Sequence, residues 1–62
     1  MQTIGAKQYI IEAYLQLLAR KTLDEISVTE IVKRAGISRS TFYLHFEDKF
    51  DLMDEVRRQL KL

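Results

Sequence analysis

At the angular step of an α-helix, the first third of the chain separates into two arcs. Ala6, Ile10, Ala13, Tyr14, Leu17 and Leu18 share one arc, which Ile11 and Leu15 widen, while Gln8, Glu12, Gln16 and Arg20 share the other. This period predicts an amphipathic helix from about Thr3 to Lys21. Thr3 is a candidate cap, Gly5 weakens the first turn, and Arg20 and Lys21 suit the negative end of the helix dipole. Thr22 to Ile26 then reads as a connection whose apolar Leu23 and Ile26 pack back onto the core. Ser27-Val28-Thr29-Glu30 has the spacing of a capping box, with Ile26 and Ile31 placed as a hydrophobic staple across it. Val28, Ile31 and Val32 form the inward face of this second helix, and Lys33 and Arg34 face outward. Gly36 stands where a left-handed residue ends a helix. Ile37 anchors the turn, and Ser38 caps a third helix running from Arg39 to Leu44 or His45. Two short helices joined by a tight, glycine-containing turn make a helix-turn-helix pattern. Phe42 is the expected core residue of the third helix, with Phe46 closing its far side. Asp48 and Asp51 mark the start of a fourth helix, with Phe50, Met53, Val56 and Leu60 on its covered face.

The expected fold is therefore all-α: a three-helix helix-turn-helix head followed by the start of a fourth, linking helix, with residues 1–62 as one domain. A chain of 62 residues holds one small core and no more. Apolar residues make up 47% of it, with no proline and two glycines, which suits a folded, helix-rich protein. It has no cysteine and one histidine, so neither a disulfide nor a metal site is expected, and no cofactor is implied. The apolar runs are too short to span a membrane, and the first residues lack the apolar stretch of a secretory signal. The expected location is the cytoplasm. The fourth helix is still regular at the last residue, which leads us to expect an incomplete head of a longer protein.

A formal net charge of +1 does not by itself point to nucleic acid. The placement of polar groups carries that argument. A recognition helix enters the major groove with its N-terminal end leading. Arg39, Ser40 and Thr41 stand there: an arginine can bond guanine twice, and a threonine offers a hydroxyl and a methyl. Read alone, Arg39 is equally a solvated charge, and Ser40 and Thr41 equally finish a capped turn. Tyr43, His45 and Lys49 can each meet a phosphate oxygen. As alternatives, Tyr43 buries its ring, His45 satisfies a helix-end carbonyl, and Lys49 is surface charge. A lysine in the first turn of a helix opposes the dipole, which favours a specific reason for it. Thr29 and the Val28 amide lie where a helix N-terminus can take a phosphate, or Thr29 simply faces solvent. Lys33 and Arg34 add a general attraction, and Glu47 and Asp48 oppose it. No nucleophile is paired with a base, and a core this small encloses no substrate pocket, so the chain is not expected to be an enzyme.

The stretch from Ser27 to Phe46, SVTEIVKRAGISRSTFYLHF, closely resembles the N-terminal domain of TetR-family transcriptional regulators. Glu47-Asp48-Lys49-Phe50-Asp51-Leu52 resembles that family's passage into its fourth helix, and Ile10-Ile11-Glu12-Ala13 with Leu17-Leu18 matches its first. The resemblance implies sequence-specific binding of double-stranded DNA in the regulation of transcription, as a repressor head found at the nucleoid when bound. It also implies a homodimer, formed through a C-terminal effector-binding domain that these residues do not include. It places Arg39, Ser40 and Thr41 at base-facing positions, and Val28, Thr29, Tyr43, His45 and Lys49 at backbone-facing ones. Family members often have glycine at the positions of Thr22 and Ser40. Here the first turn must therefore be made without glycine, and Ser40 adds a hydroxyl near the groove. The competing expectation is a protein-interaction module on the same trihelical scaffold.

Overall fold

The computed structural model describes residues 5–60. Among the described residues, four α-helices follow one another: α1 (Ala6–Leu18), α2 (Val28–Ala35), α3 (Arg39–His45) and α4 (Lys49–Gln59). A single 3₁₀ turn, Leu23–Glu25, interrupts the connection between α1 and α2. Among the described residues, no helix is long and apolar enough to cross a membrane.

The first helix is shorter than its hydrophobic period predicts. Gly5 is its N-cap, with extended backbone, and Thr3 lies outside the described residues. At the other end, Arg20 and Lys21 stand beyond the helix, their amides both bonding the Leu17 carbonyl at 2.9 Å as the chain turns away. Ile10, Ile11, Ala13, Tyr14 and Leu17 are buried, but Leu15 and Leu18, expected on the covered arc, are exposed on its flank. A small core can cover only a narrow arc of a helix, and its outermost members remain at the edge.

The turn after α1 is built without glycine. The Glu25 carboxylate reaches back to the Thr22 amide at 3.0 Å and to its hydroxyl at 3.3 Å, which closes the 3₁₀ turn from within. Ile26 is buried and Leu23 packs against the core, as their apolar character predicts. Ser27 and Glu30 then form the reciprocal cap of α2: the Glu30 amide donates to Ser27 Oγ at 3.1 Å, and the Ser27 amide to Glu30 Oε1 at 3.2 Å. Both members of the staple, Ile26 and Ile31, are buried. Gly36 ends the helix at φ 74°, ψ 33°, and the Gly36 and Ile37 amides both return to the Val32 carbonyl, at 2.9 and 3.1 Å. Ser38 accepts from the Thr41 amide at 3.1 Å and starts α3.

Phe42 is 0% exposed and is the buried residue of α3. Its ring meets Phe46 at 5.7 Å and Tyr43 edge-on at 5.2 Å, centroid to centroid. Asp48 caps α4 by accepting from the Asp51 amide at 2.8 Å, and Asp51 in turn accepts from the Glu47 amide at 2.9 Å. The covered face of α4 differs from the expected one. Leu52 and Val56 are buried and Met53 is partly so, but Phe50 is 51% and Leu60 63% exposed. The register follows Leu52, one helical turn before Val56. Position 50 is half a turn away from Leu52, where its ring flanks the Lys49 ammonium at 5.6 Å.

Two substitutions test this account. Phe42→Ala should destabilise the domain by about 3–5 kcal/mol, as much as a single core in a chain this short supplies, and thermal melting would show no cooperative transition above room temperature. Gly36→Ala meets no atom within 4 Å, so its cost is backbone strain alone. We expect about 1 kcal/mol, a drop in Tm of roughly 4–8 °C, with the helical signal unchanged before the melt.

Candidate nucleic-acid interface

The residues named from the sequence fall into three groups by what their side chains touch. Ser40, Tyr43 and His45 are exposed on α3 without taking part in a cap. Ser40 and Tyr43 lie three residues apart and so share one face of the helix. An α-helix with its side chains is about 10–12 Å across, and the B-DNA major groove, about 12 Å wide, admits it.

The second group is tied into the helix starts. Thr41 is partly buried, and its Oγ1 lies 2.9 Å from Ser38 Oγ, within the cap of α3. Val28 packs its side chain against the core, leaving its amide as the group it can offer. Arg39 is exposed, but its Nη1 donates to Thr29 Oγ1 at 3.1 Å. That bond draws a guanidinium from the start of α3 to the start of α2. There it joins backbone amides that lack an intrahelical partner. The structure thus brings the Arg39 guanidinium to the Thr29 hydroxyl in the first turn of α2.

Glu30 also lies in this first turn. Its carboxylate reaches back to the start of the helix, bonded to the Ser27 amide and to the Lys21 ammonium. Those two bonds, the lysine foremost, hold its pKa below the usual 4.5. Its charge is neutralised by Lys21 at short range, which limits its repulsion of an anion at the α2 amides.

Lys33, Arg34 and Lys49 form the third group. Lys33 is exposed. Arg34 donates through Nε to Gln16 Oε1 at 2.7 Å and so braces α2 against α1. Lys49 is half-buried, and its ammonium is directed at the backbone between α1 and α2, with carbonyl oxygens at 2.7 and 2.8 Å. The opposing carboxylate of Asp48 is held in the cap of α4, while Glu47 stays exposed.

Sequence reasoning missed Leu44. It is 82% exposed, more than any other large apolar side chain among the described residues, and it lies one turn beyond Ser40 on the same face of α3 as Tyr43. Its position two residues after Phe42, about 200° round a short helix, could have signalled this, because Phe42 fixes which face turns inward. A leucine there offers the apolar contact that a thymine methyl accepts. Among the described residues, no group of three His, Cys, Asp or Glu side chains could hold a metal ion.

The family model described as "Bacterial regulatory proteins, tetR family" matches residues 10–56. The chain belongs to this family. It is 37% identical over 59 residues to the uncharacterized HTH-type transcriptional regulator YvdT of Bacillus subtilis, covering 95% of this chain and 30% of that protein. It is 38% identical over 50 residues to the HTH-type transcriptional regulator AcrR of Shigella flexneri, covering 81% of this chain and 23% of the relative. It is 32% identical over 50 residues to the HTH-type transcriptional repressor BepR of Brucella suis, covering 81% and 24% respectively. The chain thus spans less than a third of the length of these curated relatives. No solved structure matches it. The helices of the tetR-family head, inferred above from period and caps, are those the structure shows.

The Glu30 contacts have a pH consequence. A carboxylate held below its unfolded pKa stabilises the fold above that unfolded value, and the contribution disappears as pH falls through the folded one. Melting temperature should therefore be level through neutral pH and decline progressively below pH 4.5. Glu30→Gln keeps an acceptor for the Ser27 amide but loses the charge. Its decline should be shallower than that of the unmodified protein, and an equally steep decline would assign the acid sensitivity elsewhere.

Proposed function

We propose that this chain is the sequence-specific, double-stranded-DNA-binding head of a transcriptional regulator, acting as a repressor. The observation that carries this reading is the contact of Arg39 with Thr29 in the first turn of α2, beside an α3 face bearing Ser40, Tyr43 and Leu44. The first set suits a phosphate and the second suits base edges. Tyr43 and His45 provide further phosphate contacts at the flanks of α3, and Lys33 and Arg34 add long-range attraction. Thr41 contributes its methyl to the groove while its hydroxyl stays in the cap. Arg39 has two modes: bonded to Thr29 it meets phosphate, and extended it reaches a guanine. Support from relatives is of the same kind, since BepR is named a transcriptional repressor and AcrR a transcriptional regulator. In the full-length protein we expect a homodimer formed by residues outside this chain, presenting two heads to two half-sites.

A second reading rests on a different surface. Tyr14, Leu15, Leu18, Leu23, Met53, Val56, Arg57 and Leu60 line a largely apolar groove of about 350 Å³, none of them from α2 or α3. Such a groove suits protein contact. It is compatible with DNA binding through the other helices.

An amide-shift titration with a generic duplex at low and at raised salt tests the DNA reading. We expect shifts at Val28, Thr29, Arg39 to Thr41 and Tyr43 to His45 that fade with salt, because each phosphate contact steepens the salt dependence by about 0.9 in log–log slope. Arg39→Ala should weaken binding roughly ten-fold, uniformly across sequences if phosphate is its partner and selectively at one base pair if guanine is. A folded sample that shows no shifts at millimolar duplex would transfer the reading to protein contact.

A further inference from the structure

Lys49 begins α4, where a cation is opposed by the helix dipole. Its ammonium donates to the Ile26 carbonyl at 2.7 Å, to the Leu23 carbonyl at 2.8 Å and, at 3.4 Å, to the Asp24 carbonyl. An ammonium has three N–H donors, and these three acceptors use all of them. Leu23 and Asp24 belong to the 3₁₀ turn, whose C-terminal carbonyls carry partial negative charge. Ile26 immediately precedes Ser27, the cap of α2. Lys49 thus ties the first turn of α4 to the segment that delivers the α2 amides, across more than twenty residues of chain.

On the DNA-binding reading above, we infer that Lys49 is a positioning residue for the phosphate site, not a phosphate ligand. It holds the Leu23–Ile26 backbone in place, and that backbone sets where Ser27, Val28 and Thr29 stand relative to Arg39. The geometry distinguishes the two roles. A lysine that binds phosphate directs its ammonium outward, whereas this one is half-buried, turned toward carbonyls, with its neighbour Phe50 beside it at 5.6 Å. Here the sequence-based expectation of a direct backbone contact and the observed side-chain direction part company. The lysine's unfavourable place on α4 finds its reason inside the protein.

The test uses the 62-residue chain, a generic DNA duplex and Lys49→Met, which keeps an unbranched stem and removes the donors. Binding is measured over a range of salt, and amide exchange is measured on the free protein. We expect Lys49→Met to weaken binding by roughly ten-fold, the size of one lost charge-assisted hydrogen bond, with the log–log salt slope unchanged. In the free protein, exchange at Ile26, Glu30 and Ile31, whose amides are hydrogen-bonded to the Leu23 carbonyl and to Ser27, should rise relative to core amides of α1. A slope reduced by about 0.9, with exchange unchanged, would show a direct phosphate contact and overturn the proposal. Lys49→Arg separates the two further. It retains the charge, but its flat fork does not converge on three carbonyls, so a positioning role predicts a loss and a phosphate role predicts none. Should the unmodified chain fail to bind the duplex, the DNA reading fails. The exchange measurement then still decides whether Lys49 holds the start of α2, and unchanged exchange there would overturn the inference by itself.

Discussion

A helix of 7 residues does not hold its shape in water, because nucleation costs more than so few backbone bonds return. α3 exists because two neighbours impose it. Ser38 supplies the hydrogen bond that starts it, and Phe42 seals it against α1 and α2. Everything the outward face of α3 presents depends on this anchorage. With Phe42 buried, Ser40, Tyr43 and Leu44 must face away from the core. The fixed spacing of an α-helix thereby turns one apolar contact into the orientation of a whole surface.

The starts of the helices repeat one device. Ser27, Ser38 and Asp48 each accept from an amide three residues on, and Glu25 closes the 3₁₀ turn over the same span. Such bonds are local, so those of Ser27, Ser38 and Asp48 were legible in the residue types themselves, whereas the Thr22–Glu25 closure went unread. The α2 capping box, the staple of Ile26 and Ile31, and the left-handed Gly36 all follow from spacing alone. The family resemblance and the observed helices agree for the same reason, since both rest on this punctuation.

What was less legible is non-local. The register of α4 is set by Leu52 meeting the core, and a period read within the helix could not separate Leu52 from Phe50. The exposure of Leu15 and Leu18 depends on how much of α1 its neighbours cover. The bonds of Arg39 to Thr29, Arg34 to Gln16 and Lys49 to the α1–α2 connection join residues 10 or more apart. Residue type showed that these cations could meet an anion; only the packing of helices shows which are already engaged. Ser40 and Tyr43 were found from the sequence because nothing distant claims them. Leu44 was missed because an apolar residue in a short helix is ordinarily assigned to the core.

The division of labour along α3 bears on how such a protein can change over generations. The side chain that holds the helix, Phe42, and those that face outward, Ser40, Tyr43 and Leu44, have no position in common. Replacing Ser40 or Leu44 leaves the core intact, and only Tyr43, whose ring meets Phe42 edge-on, couples the surface to it, so most of this face can be rewritten one position at a time without loss of a folded intermediate. A lineage descended from this chain is therefore free to drift toward new partners at little structural risk, with the turn at Gly36 and the ring of Phe42 as its fixed points.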